Sequence, residues 1–318
     1  MTRYVAHRIA LTGLLFIGIS AVVFFLIHSA PGDPTAFFVP GTQPDPAVRR
    51  AVAGDLGLDR PIYIQYVRWF KRAAVGDLGL SFRYQVPVLG LILERVPATV
   101  QLQLLAIAAA LCVSLPLGVL SAVRSGSAFD RVSTVFTLFG ISMPEFWSGL
   151  MLLLVFALQL RWLPPTGMGE GAPALERLAH YVLPATVLAL TYTAWYTRFA
   201  KTSMLEVLHE DYMRTARAKG LRPRTALLRH GLRNALIPMI TVVGLSLPRL
   251  LGGSIIVESI FAWPGIGRLG LEAVLKRDYP VIMGLTIFTA CLVLLLNLAI
   301  DLLYVAADPR ISYDTVGQ

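Results

Sequence analysis

The sequence predicts an all-α integral membrane protein with six transmembrane helices, and three observations carry that prediction. The 318 residues are 56% hydrophobic and only 15% charged, with a mean hydropathy of +0.66. An ordinary globular domain carries about 25% charged residues, so the apolar excess here needs lipid to cover it. Six stretches reach the ~20 mostly apolar residues that a membrane helix requires. Basic residues then gather in alternate connections, the pattern that fixes orientation.

The first stretch, Ile9–Ile27, is flanked by Arg3 and Arg8. Ser29-Ala30 resembles a cleavage site, but the apolar run exceeds the ~7–15 residues of a signal core, so an uncleaved anchor over residues 1–29 is expected. Residues 30–98 form a mixed polar segment on the outer side. Within it, Pro46–Leu56 and Pro61–Arg72 each open at a proline and continue with helix-compatible residues, and Gly76-Asp77-Leu78-Gly79 ends the pattern. The remaining spans are expected at Val100–Val123, Val132–Leu160, Val182–Ala200, Leu236–Phe261 and Met283–Ala306. They form a core over residues 99–307 with a tail at 308–318.

With the N terminus inside, Arg3, Arg8, Arg124 and Arg131 all fall on the cytoplasmic side. So does the Arg198–Arg233 segment, whose nine bases and three acids leave it at net +6. Even parity places both termini in the cytoplasm. The net charge of +9 follows the membrane in this way, which excludes nucleic acid as the partner it serves. Cys112 and Cys291 lie inside apolar runs and read as small core hydrophobes. The five histidines show no ligand spacing, so no disulfide, metal or cofactor is expected.

The inner connection, residues 201–235, carries the most information. Leu205, Leu208, Tyr212 and Ala216 recur at helical spacing as one stripe. Glu210 and Arg214 stand as an i,i+4 pair in the favourable order. Lys219 precedes Gly220, which suits the left-handed residue that ends a helix, and Pro223 opens a second helix. The pattern is helix, glycine elbow, helix. Two readings are open on physics alone: a basic amphipathic loop resting on anionic lipid, or a rigid knob that fits a groove on a cytoplasmic protein.

The residues of this segment resemble a known family. Asp211-Tyr212-Met213-Arg214-Thr215-Ala216-Arg217-Ala218-Lys219-Gly220-Leu221, followed by Leu228-Arg229-His230-Gly231-Leu232-Arg233-Asn234-Ala235-Leu236-Ile237-Pro238, is similar to the EAA loop of ABC-importer permeases, in the version of the dipeptide/oligopeptide/nickel permeases. The resemblance runs nearly the length of the chain. It includes Pro31-Gly32-Asp33-Pro34, Leu56-Gly57-Leu58-Asp59-Arg60-Pro61 with Gln65-Tyr66, and Gly76-Asp77-Leu78-Gly79 with Ser81. It continues through Val257-Glu258, Phe261, Trp263-Pro264-Gly265-Ile266-Gly267 and Arg277-Asp278-Tyr279-Pro280. Arg214-Thr215-Ala216 stands where the general motif has Glu-Ala-Ala, and Gly220 where it has its glycine. The motif's later proline falls on Arg233, with Pro238 beyond.

The resemblance implies a type I ABC importer permease fold with an extracytoplasmic insertion after the first helix, in the bacterial inner membrane. It implies that Asp211, Tyr212, Arg214, Thr215, Ala216 and Gly220 couple the chain to an ATPase. The implied partners are a homologous second permease, two ATP-binding subunits or domains, and an extracytoplasmic solute-binding protein. The chain has no Gly-x-x-x-x-Gly-Lys-Ser/Thr loop; Lys201-Thr202 is the nearest pairing and Ala200 replaces the glycine, so ATP hydrolysis is expected in the partners and no enzyme activity here. The family carries dipeptides, oligopeptides, nickel complexes and other small solutes; without a His/Cys cluster, peptides are the default.

Polar groups inside the spans are the candidates for the pathway or its gate: Arg249, Glu145 and Glu258. An arginine at a helix centre costs about 2.5–3.5 kcal/mol to insert, so Arg249 is expected to face protein or a wet cavity. It either meets a peptide carboxylate or forms a structural ion pair with Glu145, the second being favoured. Glu258 is expected about 13–14 Å further along the same helix, shaping the outer mouth. Asn297 and Asp301 share a face without the ladder a proton relay needs. A self-sufficient secondary transporter would show paired broken spans from an internal repeat, which is not evident. An intramembrane hydrolase would need a paired nucleophile and base, and Ser148 and His180 do not supply one.

Overall fold

The structure, a computed structural model, describes residues 2–29, 60–251 and 254–307, with side chains described from His7 onward except at 217, 247–251 and 301–307. Helices α1 (Thr2–Ser29), α2 (Ile62–Ala74), α3 (Val88–Val123), α4 (Ala128–Ser142) and α5 (Glu145–Leu152) come first. A π-helical turn, Leu153–Gln159, follows α5. Then come α6 (Ala174–His209), α7 (Asp211–Ala218), α8 (Pro223–Ala226), a second π-helical turn (Leu227–Leu232), α9 (Arg233–Leu251), α10 (Ile255–Ile260), α11 (Ile266–Lys276) and α12 (Tyr279–Ala307).

Each of the six predicted stretches is mostly helical over its described residues. By length and composition, three helices of the described residues can cross a membrane: His7–Ser29, Val88–Val123 and Tyr279–Ile300. A fourth is possible if α4 and the α5 segment, bent by 100°, count as one span. Two expected rods are corrected. The third breaks at Met143, whose extended backbone (φ −75°, ψ 120°) precedes Pro144; the proline ring disfavours the helical region for the residue before it. The fifth is interrupted at Ser254, which is extended (φ −103°, ψ 96°) and caps α10 by accepting from the Val257 N–H. The helical rise drawn from Arg249 to Glu258 therefore does not apply. The fourth span lies inside a longer helix, α6, and the second begins twelve residues earlier than expected, at Val88.

The chain divides into two compact units, one of residues 1–97 with 269–318 and the other of residues 98–268. In the first, α1 packs along α12. The aromatic face of α2 lies on α1: Tyr66 Oη meets Ser20 Oγ at 2.8 Å, and Trp69 and Phe70 sit against Phe24 and Phe16. This confirms the helix opened by Pro61; the one expected at Pro46–Leu56 lies outside the described residues. At the exit of α2, Arg72 donates to Asp77 at 2.7 Å. That guanidinium, with the Gly79 N–H, holds the Asp77 carboxyl below the usual carboxylate range. Exposed as it is, the pair contributes under about 1 kcal/mol.

The second unit is built on the packing of small residues. A Cβ at Gly118 would lie 2.6 Å from Ala200 Cβ, 2.9 Å from the Thr197 carbonyl and 3.0 Å from the Lys201 nitrogen, so α3 and α6 touch backbone to backbone there. Close approach through small residues is how helices associate in lipid, where burial from water cannot drive them together. Gly140 against Ala194 and Gly149 against Ile260 make the same use of a missing side chain. Cys112 faces outward and Cys291 is only partly covered, so neither is the core hydrophobe its sequence context suggested. Gly118→Ala is expected to lower stability in detergent by about 1–3 kcal/mol of overpacking, whereas Gly90→Ala, in the same helix and meeting nothing within 4 Å, does not lower it.

Candidate functional site

The cytoplasmic segment begins where α6 stops. Glu210 is extended (φ −67°, ψ 145°) and its N–H closes on the Val207 carbonyl. Helix α7 restarts at Asp211, an acid in the first turn, where the helix dipole favours it. This break corrects the single stripe read from Leu205 to Ala216. The inward face of α7 carries Met213, 1% exposed, and Ala216, packed with Ala226 of α8 and flanked by Val207, Leu208 and Leu221. Tyr212 points out instead. Arg214 pairs with Asp211 at 3.4 Å rather than with Glu210, and both side chains are largely exposed.

The elbow is as expected. Gly220 has φ +79°. Around it the Leu221 N–H bonds to the Ala216 carbonyl at 3.3 Å, six residues spanned by one bond, while Leu221 packs back on the α7 core. That combination is the Schellman end of a helix. Pro223 takes the first position of α8. Below α8, Gly231 abuts the Met204 methyl, so the second π-helical turn and α6 are joined as well. Of the six residues assigned to coupling, Asp211, Tyr212, Arg214 and Thr215 are exposed on one short helix, Ala216 packs underneath it, and Gly220 sets its end.

One contact beside this knob had no sequence signal. Lys201 Nζ donates to Asp130 Oδ1 at 2.5 Å, with 26% and 10% of the two side chains exposed. Asp130 Oδ2 accepts from the Gly126 N–H at 3.0 Å, and Ser127 Oγ accepts from the Asp130 N–H as the cap of α4. Lys201, noted in the sequence as the nearest approach to a phosphate-binding lysine, is thus engaged with a carboxylate.

The three pathway candidates separate. The Arg249 side chain lies outside the described residues, and with it the expected pair to Glu145. Glu145, at the start of α5, accepts from Ser254 Oγ at 3.2 Å, tying α5 to the cap of α10. Glu258 is 1% exposed. Its Oε1 accepts from Thr99 Oγ1 at 2.8 Å and its Oε2 from the Arg268 N–H at 3.0 Å. Thr99 Oγ1 in turn accepts from the Ile266 N–H at 2.9 Å, and the Trp263 indole donates to the Ala98 carbonyl at 2.9 Å. A Cβ at Gly265 would collide with the Glu258 carboxylate, so Trp263-Pro264-Gly265-Ile266-Gly267 wraps a buried acid. In the other unit, Asp278 accepts from Ser81 Oγ at 2.5 Å and from the Phe82 and Arg83 N–H groups at 3.1 and 3.2 Å. Two motifs quoted separately from the sequence meet there. Among the described residues no group of His, Cys, Asp or Glu could hold a metal ion.

Comparison with known proteins agrees with this architecture. Residues 114–313 match the family described as binding-protein-dependent transport system inner membrane component, and residues 1–103 match the corresponding N-terminal family. The chain is 41% identical to the oligopeptide transport system permease protein AppB of Bacillus subtilis, over 98% of this chain and 100% of that one. It is 37% identical to the dipeptide transport system permease protein DppB of Escherichia coli K12, over 98% and 99%. Among solved structures, inward-facing MetNI methionine ABC transporter superposes with a TM-score of 0.56 at 18% identity, covering 69% of this chain and 96% of the other; at that identity it speaks for the fold alone.

Proposed function

The chain belongs to the binding-protein-dependent transport system inner membrane component family, and from that premise we propose that it forms half of the translocation pathway of an ATP-driven importer of di- or oligopeptides. It is a permease subunit. A homologous second permease completes the pathway, an extracytoplasmic solute-binding protein delivers cargo, and two ATP-binding subunits or domains hydrolyse ATP. The chain sits in the bacterial cytoplasmic membrane with both termini inside, residues 30–98 outside, the helical core at 99–307 and the tail at 308–318. Peptide cargo rests on the named cargoes of the two curated relatives.

The observation that carries the coupling role is the Gly220 elbow. It holds α7 as a short helix whose Asp211, Tyr212, Arg214 and Thr215 are exposed while Met213 and Ala216 anchor it to α6 and α8. A rigid exposed helix on a packed base transmits displacement, where a loose loop would absorb it. Switching the pathway between inward and outward states needs a free-energy difference between them, and ATP in the partners supplies it. Glu258, Glu145 and Arg249 are assigned to the gate region, with Glu258 holding the turn at its rim rather than touching cargo.

Reconstituted alone in proteoliposomes, the chain is expected to accumulate no labelled dipeptide. With its second permease, ATPases and receptor, uptake should appear and require ATP. Accumulation against a gradient by the isolated chain would overturn the assignment in favour of a self-sufficient transporter.

A further inference from the structure

Helix α6 ends at His209, and the coupling helix α7 begins at Asp211. Eight residues before the end of α6, roughly 12 Å along its axis, Lys201 reaches across to Asp130. Asp130 stands in the first turn of α4 and is bound on three sides: by Lys201, by the Gly126 N–H of the preceding turn, and through its own N–H by Ser127. Helix α4 is otherwise laid on α6 through small side chains, with Gly140 against Ala194 and the Leu190 carbonyl, and with Ser133 and Thr137 buried. Thr137 Oγ1 donates to the Thr134 carbonyl of its own helix, so it does not tie α4 to α6. Contacts of this kind hold two helices side by side but resist sliding weakly, because they lack direction. A short charge-assisted hydrogen bond supplies direction.

We propose that the Lys201–Asp130 pair is the transmission contact of this permease, clamping the α3–α4 turn and the start of α4 to α6 so that a displacement received at α7 moves α4 as well as α6. The proposal rests on the coupling role assigned to α7 and names the contact through which that role reaches the next helix. Lys201 and Asp130 are positioning residues: neither touches cargo or nucleotide. The break after α4 at Met143-Pro144 gives the motion an outlet, since α4 can turn about that break without dragging α5 rigidly with it.

The test uses the complete transporter, with both permeases, the ATPases and the receptor, in proteoliposomes supplied with a dipeptide. Asp130→Asn and Lys201→Met are each expected to reduce peptide delivered per ATP hydrolysed at least tenfold, while the ATPase subunits still co-purify and basal hydrolysis stays within twofold of wild type. The reciprocal exchange, Asp130→Lys with Lys201→Asp, should restore at least half of the lost ratio, and Lys201→Arg should keep it. A wild-type ratio in both single variants overturns the proposal. So does loss of the ATPases or of membrane-inserted protein in the single variants without recovery in the exchange, because the pair would then be holding the fold and nothing more. An inert Gly220→Pro in the same assay would instead remove the coupling role of α7, a failure distinct from that of the pair.

Discussion

Gly220→Pro is expected to abolish ATP-driven uptake, by 100-fold or more, and to return receptor-stimulated ATP hydrolysis to its basal rate. The amount of protein in the membrane should not change. Gly220 has φ +79°, and proline holds φ near −65°, so the chain cannot turn from α7 into α8 along its present path. Proline also pushes the preceding Lys219 out of the helical region, while the Lys219 N–H bond to Thr215, 3.0 Å, belongs to the last turn of α7. A Cβ built at Gly220 meets nothing within 4 Å, so the defect is one of backbone direction and not of crowding. That separates a graded series. Asparagine visits the left-handed region readily and should retain most activity; alanine pays about 1–2 kcal/mol for it and should retain part. Uptake and ATPase assays on proteoliposomes check the order glycine, asparagine, alanine, proline. Full coupled transport in the proline variant would refute the lever.

The second large effect is on stability. Glu258→Leu is expected to destabilise the protein by about 2–6 kcal/mol, since leaving each of two buried donors without an acceptor costs about 1–3 kcal/mol. The carboxylate accepts from Thr99 Oγ1 and the Arg268 N–H, with the Gly267 N–H beside it. The leucine accepts nothing. Its methyl groups would also press on Gly265 and Gly267, whose missing side chains now make room for the acid. Glu258→Gln keeps one acceptor oxygen and should cost less than half as much. Unfolding followed by tryptophan fluorescence in detergent reads the difference, because Trp263 lies fully buried in the same turn. An unshifted transition in the leucine variant would show that the acid is dispensable.

How much of this was legible follows from how far apart the cooperating residues lie. Helix α2 and the elbow were readable because proline and glycine act on their own backbone: Pro61, Pro223 and Gly220 each stand where their local preference puts them. The two broken rods were missed for a physical reason. Hydropathy averages over a span and is blind to chain direction, so Val132–Leu160 and Leu236–Phe261 read as continuous. The local signs were nevertheless present, in Met143 before Pro144 and in Ser254 before Ile255-Ile256-Val257-Glu258 as a cap with an acid in the first turn. The stripe through Tyr212 failed because the chain turns at Glu210 and resets the phase, bringing Met213 inward. Nothing local could have joined Asp130 to Lys201, 71 positions apart, or Thr99 to Glu258, 159 apart. Those pairings belong to the tertiary fold.

The hook between Trp263 and the start of the second unit has a consequence for biosynthesis. The Ala98 carbonyl receives its indole donor from a residue made 165 positions later. A ribosome adding about 5–20 residues each second needs roughly ten to thirty seconds to cover that distance. Throughout that interval the nascent chain holds Ala98 and Thr99 without their final partners. A product cut short before Trp263 would never close this seam, and the Ala98 carbonyl would stay without the indole donor it has in the finished chain.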